Sequence, residues 1–104
     1  MNYVITNTQL HNIMVDYLDN VHNSNREESR FDSVVVIHGR EDYYHVIMKR
    51  TRDKKLYIDK SFLETFSKIF PLSLEDSAEF IKNWFEHRFN IDVDEVGYKK
   101  NNYI

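Results

Sequence analysis

The sequence predicts an α+β domain in which about three helices pack with a three-stranded antiparallel meander, and in which a C-terminal strand can extend the sheet. Apolar residues recur at helical spacing near the N-terminus and again after residue 60, which indicates amphipathic helices. Between them, residues 33–58 are rich in β-branched and aromatic side chains, as strands usually are. The 104 residues, of which 41% are hydrophobic, suit a single domain spanning 1–104.

The first helix is predicted from about residue 7 to residue 22. Thr6 and Gln9 have the spacing of a capping box, in which two side chains satisfy free backbone N–H groups of the first turn. Residues 23–30 follow without periodicity and are predicted to form a loop. The apolar stripe that buries this helix comprises Leu10, Ile13, Met14, Tyr17, Leu18 and Val21.

Three strands are predicted at 33–38, 43–50 and 55–58, joined by turns at 39–42 and 52–53. The simplest register pairs His38 with Tyr43 and Thr51 with Lys54. In that register both faces of the sheet are largely apolar, although an antiparallel sheet with a solvated face usually alternates between apolar and polar residues. The pattern therefore predicts that helices cover both faces or that one face meets a partner.

Two further helices are predicted after the meander. Ser61 and Glu64 form a second capping box, and Pro71 ends this helix because proline cannot continue it. Ser73 begins the third helix with Asp76 in the box position, and the apolar stripe continues to about residue 89. The tail after it alternates apolar and acidic residues, which fits either an additional strand at the sheet edge or an irregular packed segment.

The composition excludes several classes of protein. Without cysteine the chain has no disulfide, no thiol nucleophile and no thiolate metal site. No apolar run approaches the roughly 18 residues that a membrane span requires, and the N-terminus does not resemble a signal peptide. We therefore expect a soluble cytoplasmic protein without a membrane partner. The phosphate-binding glycine loop and the nucleophile elbow of common enzymes are also missing from the sequence.

The charge is unevenly distributed, although the net charge is only -3. Residues 49–60 carry six bases and two acids, whereas the flanking stretches 1–48 and 61–98 are acidic. A basic hairpin can contact phosphates, and Tyr57 or Tyr44 can stack on a base. The same residues also fit a solvated turn or a contact with an acidic protein surface. The candidate nucleic-acid residues are Lys49, Arg50, Arg52, Lys54 and Lys55.

A small metal-dependent enzyme is a further alternative, centred on histidine. In the register above, His38 and His45 lie diagonally on one sheet face, within reach of each other. Zinc requires three or four ligands, however, and the spacing supplies no third ligand. We therefore expect no metal, no cofactor and no catalytic residue.

The first hypothesis is a non-enzymatic protein-interaction module that binds a protein partner or associates with itself. The third helix carries aromatic residues over a wider arc than one small sheet covers, and Trp is favoured at the centre of interfaces. The two largely apolar faces of the predicted sheet also favour an interaction module. The candidate interaction residues are Phe80, Trp84, Tyr44 and Tyr57.

The opening segment Ile5-Thr6-Asn7-Thr8-Gln9-Leu10, followed by an amphipathic helix, resembles the start of short uncharacterised proteins of tailed bacteriophages. The resemblance ends at residue 22. It implies a small phage protein in the host cytoplasm or the virion. It carries over no catalytic or binding residues.

Overall fold

The computed structural model describes residues 7–29, 34–41 and 45–99, and these residues form an α+β fold with three helices and a mixed sheet. The predicted fold class and the predicted C-terminal strand are confirmed. In chain order the elements are α1 (Asn7–Ser24), β1 (Arg26–Ser29), β2 (Val35–His38), β3 (Val46–Arg50), β4 (Lys55–Asp59), α2 (Lys60–Ile69), α3 (Leu74–Phe89) and β5 (Glu95–Lys99).

The sheet has the strand order β1-β2-β3-β4-β5. Neighbouring strands from β1 to β4 are antiparallel, so the predicted meander corresponds to β2, β3 and β4. The final strand β5 lies parallel to β4, and α2 and α3 form the crossover connection that a parallel pair needs. The predicted loop at 23–30 is wrong, because it contains β1. All four side chains of β1 are exposed, so β1 depends on its ladder with β2 and leaves no apolar signal in the sequence.

The predicted strand register is also wrong. Ile37 lies opposite Met48, and Lys49 lies opposite Tyr57, which displaces both predicted pairings. A bulge follows Ile37, where the register shifts by one residue. On the face opposite the helices, the described cross-strand neighbours of Val36 are Lys49 and then Tyr57, so this row of the sheet is not apolar throughout, as the predicted register requires.

One hydrophobic core joins the three helices to a single face of the sheet. Ile37, Met48 and Ile58 lie opposite one another across β2, β3 and β4, and none is exposed. Each helix contributes a fully buried side chain to the same cluster: Leu18 from α1, Phe66 from α2 and Phe85 from α3. Burial of such side chains contributes roughly 1.5–3 kcal/mol each, which makes this cluster the main source of stability.

The helix ends follow local sequence signals, with one correction. α3 begins after Ser73, whose hydroxyl accepts a hydrogen bond from the backbone N–H of Asp76 at 3.0 Å, as predicted. α2 begins two residues earlier than predicted, because the carboxylate of Asp59 accepts from the N–H of Phe62 and replaces the Ser61 cap. The predicted cap at Thr6 lies outside the described residues. None of the helices in the described part of the chain is long and apolar enough to cross a membrane.

Candidate functional site: a groove between α1 and α3

A groove runs along the outside of the molecule between α1 and α3. It consists of two adjoining hollows, of about 360 Å³ and about 280 Å³, which share His11 and Phe80. We refer to it as the α1–α3 groove. The larger hollow is lined by His11, Val15, Phe80, Asn83, Trp84 and His87. The smaller one is lined by Leu10, His11, Met14, Leu72, Asp76 and Phe80.

The two helices that form the groove run in the same direction. The imidazole of His11 packs edge-on against Phe80, with ring centroids 5.4 Å apart. Eleven residues further along α1, His22 lies 5.0 Å from the ring of Phe89. Beyond the groove, Arg88 donates from Nε to His22 Nδ1 at 3.1 Å and so links the C-terminal turns of both helices.

Trp84 forms part of the groove wall, but its ring is largely covered. Its exposed fraction is 6%, and its Nε1–H donates to Asp19 Oδ1 at 2.9 Å. The expectation that this side of the third helix is left uncovered is therefore wrong for Trp84, because α1 packs over it. Phe80 remains half-buried and lines both hollows.

The helices around the groove are acidic. α1 carries two carboxylates and no Lys or Arg, and α3 carries four carboxylates and two bases. Asp76 lines the smaller hollow directly. Each base of α3 contacts one of these carboxylates, since Lys82 Nζ lies 3.5 Å from Glu79 and Arg88 contacts Asp19, which leaves a surplus of four carboxylates on the two helices. The surface around the aromatic floor therefore favours a cationic ligand over an anionic one.

The remaining predicted interaction residues do not join Phe80 and Trp84. Tyr44 lies outside the described residues. Tyr57 lies on the sheet face away from the core, in the cross-strand row with Lys49 and Gly97. A Cβ atom at Gly97 would lie 3.8 Å from Tyr57 Cδ1, so the tyrosine ring covers the glycine backbone. The predicted four residues thus belong to more than one surface.

The sequence missed several residues that line the groove, among them His11, Val15 and Asn83. A weak signal existed, because His11 and Val15 are four residues apart and share one side of the first helix. What the sequence lacks is the information that α1 packs parallel to α3, and only that packing brings these side chains next to Phe80.

The basic hairpin is less available to a ligand than its sequence indicates. Arg50 is only 3% exposed, and its Nε and Nη2 both donate to the backbone oxygen of Asp92, at 3.1 and 2.8 Å. Lys55 Nζ lies 3.9 Å from carboxylate oxygens of Asp53 and of Glu95. Arg52 and Lys54 are exposed at the tip, whereas Lys49 is half-buried on the sheet. Arg50 is therefore a structural residue.

The hairpin tip is stabilised by Thr51 and Asp53. The Thr51 hydroxyl donates to the Asp53 carboxylate. This hydrogen bond, the backbone N–H of Asp53 and the nearby Lys55 together lower the pKa of the Asp53 carboxyl. Since the carboxylate is fully exposed, its charge contributes little to the stability of the fold. The hydrogen bond from Thr51 mainly fixes the conformation of the turn.

Replacement of Lys54 by glycine is expected to stabilise the protein. Lys54 has a φ of 64°, a left-handed conformation that costs a side-chain-bearing residue about 1 kcal/mol relative to glycine. It follows a turn in which its N–H donates to the Thr51 oxygen. We expect Lys54→Gly to raise the free energy of unfolding by about 0.5–1 kcal/mol in urea titrations. Arg52→Gly, at a position without positive φ, is the matched control and is expected to be neutral or destabilising.

The structure gives His38 and His45 different neighbours, which does not support the predicted diagonal contact. His38 is buried, with Nε2 3.3 Å from Glu28 Oε1 on β1. His45 instead lines a separate hollow of about 340 Å³ with Ile47 and residues of α1 and α2, on the side of the core. Across the bulge after Ile37, His38 lies opposite Val46 and not opposite Tyr43, as predicted. Within the described ranges, no three His, Asp or Glu side chains gather as metal ligands.

Comparisons with known proteins add no relative. No protein-family model, no curated protein and no solved structure matches this chain. Any functional conclusion therefore depends on the geometry of the chain itself.

Proposed function

We propose that the protein is a non-enzymatic protein-interaction module that binds a cationic amphipathic helix of a partner protein in the α1–α3 groove. The observation that supports this proposal best is the combination of an aromatic lining, provided by Phe80 and Trp84, with helices that carry six carboxylates and only two bases. The resemblance of residues 5–22 to tailed-phage proteins suggests a host protein or a virion protein as the partner.

A helix is the partner conformation that fits a groove between two parallel helices. An amphipathic helix presents apolar side chains at i, i+3, i+4 and i+7 along one stripe, which matches a long apolar floor. Val15 and Phe80 supply that floor in the larger hollow, and Leu10 and Leu72 continue it in the smaller one. Basic residues on the flanks of the ligand would then lie near Asp76 and the other carboxylates of α1 and α3.

The chain contains one tryptophan, Trp84, and this residue reports on the groove directly. We expect a designed amphipathic helix of leucine and lysine, about 18 residues long, to change Trp84 fluorescence saturably. A peptide with glutamate in place of lysine is expected to leave the emission unchanged, because the peptide and the groove are then both negatively charged and repel each other. Equal responses to both peptides, or no response to either, would contradict the proposal.

A matched pair of substitutions localises the binding. Asn83→Arg adds a cation at the exposed rim of the larger hollow, and Asn20→Arg adds the same group to an exposed position of α1 that does not line either hollow. We expect Asn83→Arg to weaken binding of the leucine–lysine peptide at least about tenfold, because like charges placed together oppose association. Asn20→Arg is expected to change binding only slightly. Equal effects of the two substitutions would place the ligand elsewhere.

Nucleic-acid binding through residues 49–60 receives less support from the geometry. Two of its five proposed cations, Arg50 and Lys55, contact a backbone oxygen and two carboxylates respectively. This leaves the exposed tip of the hairpin with Arg52 and Lys54. A metal-dependent reaction at His38 and His45 is not proposed, because the two side chains lie in different surroundings.

A further inference from the structure

The two edges of the sheet differ in how they are protected. Within the described part of the chain, β5 has β4 on one side and no strand on the other, and β1 is the opposite edge. An unpaired edge offers backbone N–H and C=O groups to another strand. β1 has charged residues at three of its four positions, whereas β5 has the sequence Glu-Val-Gly-Tyr-Lys.

We propose that β5 pairs with β5 of a second copy of this chain, antiparallel and about a two-fold axis at Gly97. In this register Glu95 lies opposite Lys99 of the second copy, Val96 lies opposite Tyr98, and Gly97 lies opposite Gly97. A two-fold axis repeats every pair, so each copy contributes the same residues to the contact. The five described strands of each copy would then join into one continuous sheet.

The apolar pairs of this register cover surface that one copy leaves accessible. Val96 and Tyr98 lie opposite Leu56 and Ile58 of β4, on the face of the sheet that carries the helices. Val96 is half-buried against the core, whereas Tyr98 is 36% exposed. Cross-strand pairs of an aromatic and a β-branched residue are favourable, and the two-fold axis forms this pair twice.

The charges of β5 are self-complementary, and they select this register. Glu95 precedes Gly97 by two positions and Lys99 follows it by two, so the antiparallel register sets residue types of opposite charge across from each other at both ends. Opposite charges directly across two strands attract, whereas like charges repel. At the centre, glycine brings no side chain that would hinder the approach of the two backbones.

The charges of the other edge strand, β1, are not self-complementary in an antiparallel pair of identical strands. Every antiparallel register that pairs at least three of its four residues with a second copy sets a glutamate opposite a glutamate, because Glu27 and Glu28 are adjacent at its centre. Self-association through β1 is therefore opposed, and β5 is the edge that suits a second copy.

Charge exchange provides the test, with sedimentation equilibrium over a wide range of protein concentration as the measurement. We expect the unaltered chain to form dimers. Glu95→Lys and Lys99→Glu each set like charges opposite each other twice in the homodimer, so either substitution is expected to raise the dimer dissociation constant about tenfold or more. A mixture of the two variants, and the double variant Glu95→Lys with Lys99→Glu, restore both attractive pairs and are expected to recover the dimer.

The mixture distinguishes a contact between two β5 strands from a defect within one chain. A local folding defect, or the loss of the ion pair between Glu95 and Lys55, cannot be repaired by adding the other variant. Glu64→Lys and Lys68→Glu make the same changes of charge at exposed positions of α2 and are expected to leave the dimer intact. A monomer at every concentration, equal weakening by the α2 controls, or no recovery in the mixture would each overturn the proposal. Binding of the leucine–lysine peptide to the groove is a separate measurement, so these three outcomes overturn the dimer proposal without deciding the proposed function.

Discussion

Phe66→Ala is expected to lower the free energy of unfolding by about 3–5 kcal/mol, the cost of removing a large aromatic ring from a closed core. Phe66 is not exposed at all, and its ring contacts three neighbours: Tyr17 at 5.8 Å, Phe70 at 4.9 Å and Phe80 at 6.2 Å between centroids. These partners belong to α1, to the end of α2 and to α3. The substitution therefore opens a cavity at the point where the three helices meet.

The loss is large compared with the total stability of a domain of this size, which is typically about 5–15 kcal/mol. Urea titration followed by circular dichroism measures it, and Phe66→Leu provides a graded variant that is expected to cost about 1.5 kcal/mol or less. Lys68→Ala, two residues away on the exposed side of α2, is the control and is expected to change stability by less than about 0.5 kcal/mol. Similar values for Phe66→Ala and Lys68→Ala would contradict the packing described for α2.

A change at Phe66 in the core is also expected to affect the proposed groove, because Phe80 contacts Phe66 and lines the groove. Phe80 lies between Phe66 on its inner side and His11 on its outer side. If Phe66 is truncated, Phe80 can move inward, and the floor of the groove is expected to change shape. Binding of the cationic peptide is therefore expected to weaken in Phe66→Leu even under conditions where this variant remains folded.

The helices could be predicted from the sequence because their signals are local. The stripe in the first helix and the Ser73 cap of the third depend only on residues within a few turns of one another. The strand register is different, since it depends on which residues of two strands face one core. Both faces of β2 are buried, so its Val and Ile residues did not show which face carries the helices.

The proposed site was predicted only in part for a related reason. Phe80 and Trp84 were identified because aromatic residues were frequent in the third helix. Their surroundings arise from the packing of α1 against α3, which pairs His11 with Phe80 and Asp19 with Trp84 over more than 60 residues of sequence. No local pattern in a single sequence encodes such a contact.

Arg50→Ala is expected to lower the free energy of unfolding by about 3 kcal/mol. This is a large loss for a residue that the sequence predicts to be one of five cations on an exposed hairpin. Arg50 lies opposite Leu56 and Val35 on the core side of the sheet, and its guanidinium donates twice to the backbone oxygen of Asp92. Loss of this side chain leaves that oxygen without its donors and removes an aliphatic stem that packs over the sheet.

The contact also explains how β5 is positioned beside β4. Asp92 lies in the connection between α3 and β5, so Arg50 holds that connection against β3. Arg50→Lys retains the charge but not the two-pronged geometry, and it is expected to recover only part of the lost stability. Arg52→Ala, which removes an exposed cation of the same hairpin, is expected to stay within about 0.5 kcal/mol of the unaltered chain in urea titrations. If Arg50→Ala and Arg52→Ala proved equally mild, the buried role of Arg50 would be refuted, and the basic hairpin would again be a candidate for binding phosphate.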